Sequence, residues 1–481
     1  MRKFYTIISA IILALFLAGL VFWMQGNDPK DLLPTDHSNQ TADLPDTADT
    51  PEVTEVNLTY DQHMAKGNEN MQQGFLTLAG DEYAKAAALE PEQILPYLKL
   101  TQVHLALRNY NKAAADTQAV LKKDPNNQEA RLNEVIISIK LSDFNRAKSL
   151  LDSYQQTIDP KILYYQGLVA SLFNDKESAK RMLTAALQNN PDTELTNKIN
   201  RVLTSYNEFD ATQASEGLYL NILLAKSFNE NEEYEMAIQL LKETLKTRGD
   251  LRDGWILLGF AYLNLKNYPF ALTALNKANS LDPTWTTTQY FLGITNKELG
   301  NNKDAIGYFT AALNGGFEPK VVIENHLADL YFETRNYEKA AEAYQSVLAV
   351  NKQDVNAFVR PIWLYLDYLN APEKALQLAQ SAAITFPNEA MSYNLLGWSY
   401  IGMGDYNNAD ANLKKALSLN PNLAAAYLNL GLLNEEWGKN DLALDYYQKA
   451  YKLDQQGSIG STAAANYNQL IKKTMSDTSE Q

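Results

Sequence analysis

A 34-residue period constrains this chain more than any other feature. Aligning the chain on itself from Trp255-x-x-Leu258-Gly259-x-x-Tyr262 through Ala271, Leu275, Ala278 and Pro283 brings up the same spacing elsewhere. It returns at Tyr393-x-x-Leu396-Gly397-x-x-Tyr400 with Ala409, Leu413, Ala416 and Pro421. It returns again at Tyr427-x-x-Leu430-Gly431 with Ala443, Tyr447 and Ala450, and Tyr393 and Tyr427 lie 34 residues apart. A fixed period of this length marks a small unit that cannot bury its apolar face alone and must stack on copies of itself.

Each position has a physical reason. The first set recurs at i, i+3, i+4 and i+7, one face of an α-helix. The Gly sits where a neighbouring helix comes close, the Ala opening the second set is small for the same reason, and the aromatic or Leu four residues on fills the space between the helices. Lys266-Asn267-Tyr268 and Gly402-Met403-Gly404-Asp405-Tyr406 read as turns between the two helices. The closing Asp-Pro or Asn-Pro ends the second helix, because Pro disfavours helical geometry in the residue before it. On these residues the chain resembles the tetratricopeptide repeat (TPR) family, the helix–turn–helix with W-x-x-L-G-x-x-Y…A-x-x-x-F…A…P spacing. Copies begin near Tyr60, Ile94, Gln128, Pro160, Leu218, Arg252, Thr286, Val321, Asn356, Ala390 and Ala424. Two depart from the pattern. Ile136 takes the Gly position in the copy at 128, and Trp363 takes it in the copy at 356, with Pro361 inside the first helix. The resemblance implies an all-α chain, an α-solenoid of about eleven repeats.

The array is not continuous. Between Pro191 and Leu218, the residues Leu195, Ile199, Val202, Leu203 and Tyr206 mark one amphipathic helix, followed by a polar stretch from Asn207 to Gly217. This reads as a helix and linker at 192–217, where the array bends, between a block of four repeats (60–191) and a block of seven (218–457). A diverged repeat is the alternative. Ala463, Tyr467, Leu470 and Ile471 suit a capping helix at 458–474, leaving a short polar frayed tail at 475–481.

The N-terminus adds a second constraint. After a stub at 1–3 containing Arg2 and Lys3, an uncharged apolar run covers residues 4–24. As a helix it is about 31 Å long, enough to cross a bilayer core. No small-x-small cleavage pattern follows it, and Trp23 suits the aromatic belt at the interface. We therefore read it as an uncleaved transmembrane signal anchor. Positive charge lies only before the span, which puts the N-terminus in the cytoplasm and the repeats outside. Residues 25–59 carry eight acids against one base, a charge of −7, with Pro29, Pro34, Pro45 and Pro51 among them. That composition predicts a disordered, self-repelling tether.

Catalytic signals are missing from the sequence. It has no cysteine, which excludes disulfides, thiolate sites and a lipidated N-terminal cysteine. His37, His63, His104 and His326 show no ligand spacing, so no metal is expected. No phosphate-binding glycine loop or nucleophile elbow occurs, and the repeats leave no stretch to house a catalytic domain. The chain reads as a non-enzyme without cofactors. Its net charge of −15 gives nucleic acid no attraction.

What remains is a surface. The resemblance implies that the first helices line a concave groove for a protein or peptide partner. The groove positions are Tyr290, Ile294 and Lys297, then Asn325, Asp329 and Phe332, then Arg360, Leu364 and Asp367, then Asn394, Trp398 and Ile401, then Leu428, Leu432 and Glu435. Some relatives in this family clamp carboxylates with a K-x-x-G-N motif. Here Gly67 and Asn68 match but Met64 replaces the Lys, so no such clamp is expected. The expected function is a membrane-anchored scaffold, bound to the bilayer through 4–24 and to proteins through the groove. Two alternatives stay open: a soluble secreted or periplasmic module after cleavage, and a regulatory subunit of an envelope enzyme complex.

Overall fold

The computed structural model describes residues 58–479 apart from 155, 213–216, 351–352 and 456, and among these every regular element is helical. The apolar run at 4–24 and the acidic stretch to 57 lie outside the described residues. Among the described ones, no helix is long and apolar enough to cross a membrane.

The helices pair in chain order. The first four pairs are α1 (Tyr60–Gln72) with α2 (Leu76–Leu89), α3 (Leu95–Ala106) with α4 (Tyr110–Lys123), α5 (Gln128–Lys140) with α6 (Phe144–Asp152), and α7 (Pro160–Leu172) with α8 (Lys176–Gln188). A single helix, α9 (Thr193–Ala211), follows. Then come α10 (Gly217–Glu230) with α11 (Tyr234–Thr247), α12 (Arg252–Asn264) with α13 (Tyr268–Leu281), α14 (Thr286–Glu298) with α15 (Asn302–Asn314), and α16 (Lys320–Glu333) with α17 (Tyr337–Val350). The ninth pair opens with a 3-10 turn (Val355–Phe358), α18 (Val359–Trp363) and a π turn (Leu364–Tyr368), and closes with α19 (Pro372–Thr385). The last pairs are α20 (Ala390–Gly402) with α21 (Tyr406–Leu419) and α22 (Ala424–Glu436) with α23 (Asn440–Leu453), followed by α24 (Ser458–Ser479). The cap thus runs five residues beyond the expected 474.

The packing follows from the repeat positions. Ala271, Leu275 and Ala278, like Ala409, Leu413 and Ala416, are fully buried. A Cβ at Gly259 would lie 2.5 Å from Leu275 Cγ, and one at Gly397 2.5 Å from Leu413 Cγ, so only Gly admits the second helix this closely. The second helices end in extended geometry before proline: Asp282 has φ −152° and Asn420 has φ −139°. The first helices end on one left-handed residue, Gly300, Gly404 or Gly438 in some pairs and Arg108, Glu232, Lys266 or Arg335 in others. Its own amide and the next one then reach back to orphan carbonyls of the last turn, as Gly404 N to Ile401 O and Asp405 N to Tyr400 O.

The described residues fall into two compact units, one ending at Pro283 and one beginning at Thr284. The division does not fall at 192–217, where the sequence places a bend. Helix α9 is the amphipathic helix expected there, and its Ile199, Val202 and Tyr206 are buried in one continuous core that runs from Val135 to Ala274. It continues into the expected polar stretch, taking in residues 207–211. In the second unit, Pro361 lies in a first element that is divided into three short pieces. The residues before it form a 3-10 turn, and it occupies the first turn of α18, where helical N–H groups have no partner in any case.

Candidate functional site

The first helices of the second unit bring three of the expected groove residues together. Lys297 comes from α14, Asp329 from α16 and Arg360 from α18. Lys297 Nζ lies 3.7 Å from Asp329 Oδ2, and Arg360 Nη1 donates to Asp329 Oδ1 at 2.5 Å. Residues about one repeat apart in sequence become a charged row of alternating sign. Their side chains are 24 to 34% exposed, so the row is shielded from water without being sealed off.

Next to the row is an aromatic patch. The Phe332 ring lies 4.9 Å from Trp363 and 5.3 Å from Tyr368, and Tyr337 lies 4.5 Å from Tyr368. Tyr368 is exposed, and Phe332 is half-buried. Aromatic and arginine side chains at the edge of solvent are the types that carry binding energy at interfaces.

One contributor was not anticipated. Tyr344, on the second helix α17, donates its hydroxyl to Asp329 Oδ1 at 2.8 Å and accepts from Arg360 Nη1 at 3.1 Å. Burial pushes its ionisation above the usual tyrosine range, and the Asp329 charge adds to the shift, so it remains a donor. Tyr344 fills the aromatic position of its repeat, where sequence reasoning saw only a space-filler. The signal is the hydroxyl itself. Tyr83 donates to Asn68 at 2.9 Å and Tyr447 to Glu435 at 2.9 Å from the same position in other repeats.

Four expected groove residues are buried, which corrects the reading of them as exposed: Tyr290, Leu364, Asn394 and Leu428. Tyr290 stacks on Phe317 at 4.6 Å, and Asn394 Oδ1 accepts from Asn429 Nδ2 at 2.9 Å. These two lead their triads and seal against neighbouring residues rather than facing outward, whereas Asn325, which leads another, is exposed. Leu428 leads its triad too and joins the core around Leu430 and Leu433. Leu364 opens the π turn and joins the core around Ile362 and Leu395. Of the others, Ile294, Trp398, Ile401, Leu432 and Glu435 are half-buried, and Asn325 and Asp367 are exposed.

The described histidines have structural partners. His63 Nδ1 lies 2.6 Å from Glu82, His104 Nδ1 lies 2.6 Å from Asp116, and His326 stacks on Phe309. Burial lowers the His326 pKa to about 4, helped by Lys297. Among the described residues, no group of acids and histidines could hold a metal ion.

The pairing defines an all-α repeat protein, each unit a stack of helix pairs. Family models described as tetratricopeptide repeat match residues 325–354 and 394–458 of this chain. The chain is similar to a TPR repeat-containing protein of Methanocaldococcus jannaschii, 20% identical over 446 residues, covering 83% of this chain and 77% of that one. It is also similar to the peroxisomal targeting signal receptor of Candida albicans, 24% identical over 277 residues and 58% of this chain. That match spans 42% of the receptor's own length. A crystal structure of the APC/C hetero-tetramer Cut9-Hcn1 aligns at 15% identity and a TM-score of 0.31, over 85% of this chain and 96% of that one.

Proposed function

We propose that this chain is a non-catalytic scaffold that recruits a protein partner through the first-helix face of residues 286–440, and that residues 4–24 anchor it in a membrane with the repeats on the extracytoplasmic side. The observation that carries the reading is the Lys297–Asp329–Arg360 row beside the Phe332–Tyr368 pair, which packs on the buried Trp363. It offers an extended segment both ion-pairing and stacking partners along one line. The uncharged run at 4–24 and the acidic stretch after it support the anchor and tether. Tethering would raise the local concentration of partners at the membrane.

Photo-crosslinkers placed at Asn325 and Trp398 in membranes test the groove. One discrete partner, lost when Phe332 and Tyr368 are both changed to Ala, is the expected result. Labelling without any discrete partner would sink the proposal. Alkaline extraction tests the anchor: the chain should stay with the membrane pellet at full length, and a shortened soluble form would refute it.

A further inference from the structure

In the first unit, the equivalent surface is already occupied. Counting from Gly167 as from Gly293, the groove positions of α7 are Tyr164, Leu168 and Ser171. All three are buried, Ser171 under α9, whose Tyr206 hydroxyl donates to it at 2.7 Å. What covers Tyr164 is the corner between α10 and α11. Asn231 Nδ2 donates to the Tyr164 hydroxyl at 3.1 Å and to Lys198 O at 2.9 Å, and Arg201 Nη1 donates to Asn231 Oδ1 at 3.0 Å.

The same corner reaches α5. Lys140 Nζ, at the end of that helix, donates to Glu233 at 3.0 Å, to Glu235 at 3.3 Å and to Glu232 O at 3.2 Å. The side chains of Glu233 and Glu235 are 7% exposed and that of Lys140 is 18% exposed. Two carboxylates this far from water need the cation, since a buried charge without a partner is strongly destabilising. Burial alone would make the Lys140 ammonium easier to deprotonate, but the two glutamates outweigh it and hold it charged. Asn229 and Asn231 are buried as well. A turn with two amides and two carboxylates out of water is not built like a solvent-facing repeat turn. It is built like a ligand.

We propose that residues 229–235 are an internal ligand, an acidic and amide-rich corner that occupies Lys140 of repeat three and Tyr164 of repeat four and closes that part of the first-helix face to outside partners. The chemistry it displays, carboxylates for Lys140 and an amide for Tyr164, defines what could displace it: an acidic, asparagine-bearing peptide. The inference is independent of the groove proposed in the second unit.

The test compares the full-length chain with its Glu233→Gln/Glu235→Gln variant, which keeps the shape of the corner but removes its charge. The probe is a fluorescent peptide of residues 227–237. The variant should bind the peptide about ten-fold more tightly than the wild type, because its inner face is open for more of the time. Adding Lys140→Gln to that variant should abolish the gain. Hydrogen exchange should rise in α11 and at the end of α5, while α1 and α2 keep wild-type protection. The Lys140→Glu/Glu233→Lys swap should restore protection at both places. Equal peptide affinity for wild type and variant would overturn the proposal. So would a rise in exchange spread evenly over residues 58–283, which would make the corner ordinary core.

Discussion

Asp329 has three partners, and each arrives from a different helix: Lys297, Tyr344 and Arg360. Its removal leaves two cations facing one another with no anion between them. Asp329→Ala should therefore cost about 1–2 kcal/mol of stability, read as a lower urea midpoint, while Asp329→Asn should cost less. His326 makes an opposite kind of statement. Its folded pKa of about 4 lies below the ordinary histidine value, so the unfolded chain binds the extra proton. Stability supplied by this ring is complete above about pH 6.5 and falls as pH drops towards 4, by about 2–3 kcal/mol in all. A proton NMR titration should find the His326 ring titrating near 4; a midpoint near 6.5 would contradict this. At Gly259, the gain in helix propensity on going to Ala is outweighed by the contact with Leu275. Gly259→Ala should lose about 1–2 kcal/mol.

The elements show what a sequence can and cannot disclose. The paired helices, the Gly–Leu contacts and the pre-proline ends were legible because each depends on residues within one repeat. The π turn was not, because it takes one residue out of register without leaving a compositional mark. Tyr290 and Asn394 were misread for a related reason: the period tells which side of a helix faces its partner, but not how much of the rest the next residues cover. Tyr344 was read as filler because the repeat pattern treats Tyr, Phe and Leu alike. The turns carry their own prediction. Lys266 adopts φ 56° where other repeats place Gly. Lys266→Gly should raise stability by about 0.5–1 kcal/mol, since a side chain in this conformation is strained and Gly is not. A lower urea midpoint would argue against it.

At the level of the whole molecule, the two compact units should report separately. Ile199 and Leu413 are both fully buried, one in each unit. Ile199→Ala should cost about 2–5 kcal/mol and show in hydrogen exchange of residues 58–283, and Leu413→Ala should do the same for residues 284–481. Unchanged exchange around α8 and α10 in Ile199→Ala would mean that α9 does not join their cores. Helix α9 also has a consequence for counting. It runs antiparallel to α10, since Lys198 meets Asn231 near one end while Ser205 meets Leu223 and Ser227 further along. It is likewise antiparallel to α8, whose opening residues Lys176 and Lys180 bind Asp210 near its close. Gaining or losing a whole repeat adds two helices and leaves the alternation of directions intact. Gaining or losing α9 alone changes the parity, so that α10 would run the other way and present its corner at the wrong end for Lys140. The acidic corner and the odd helix are thus inherited together: a lineage can lengthen this chain in steps of two, but it cannot drop that one helix and keep the other contact.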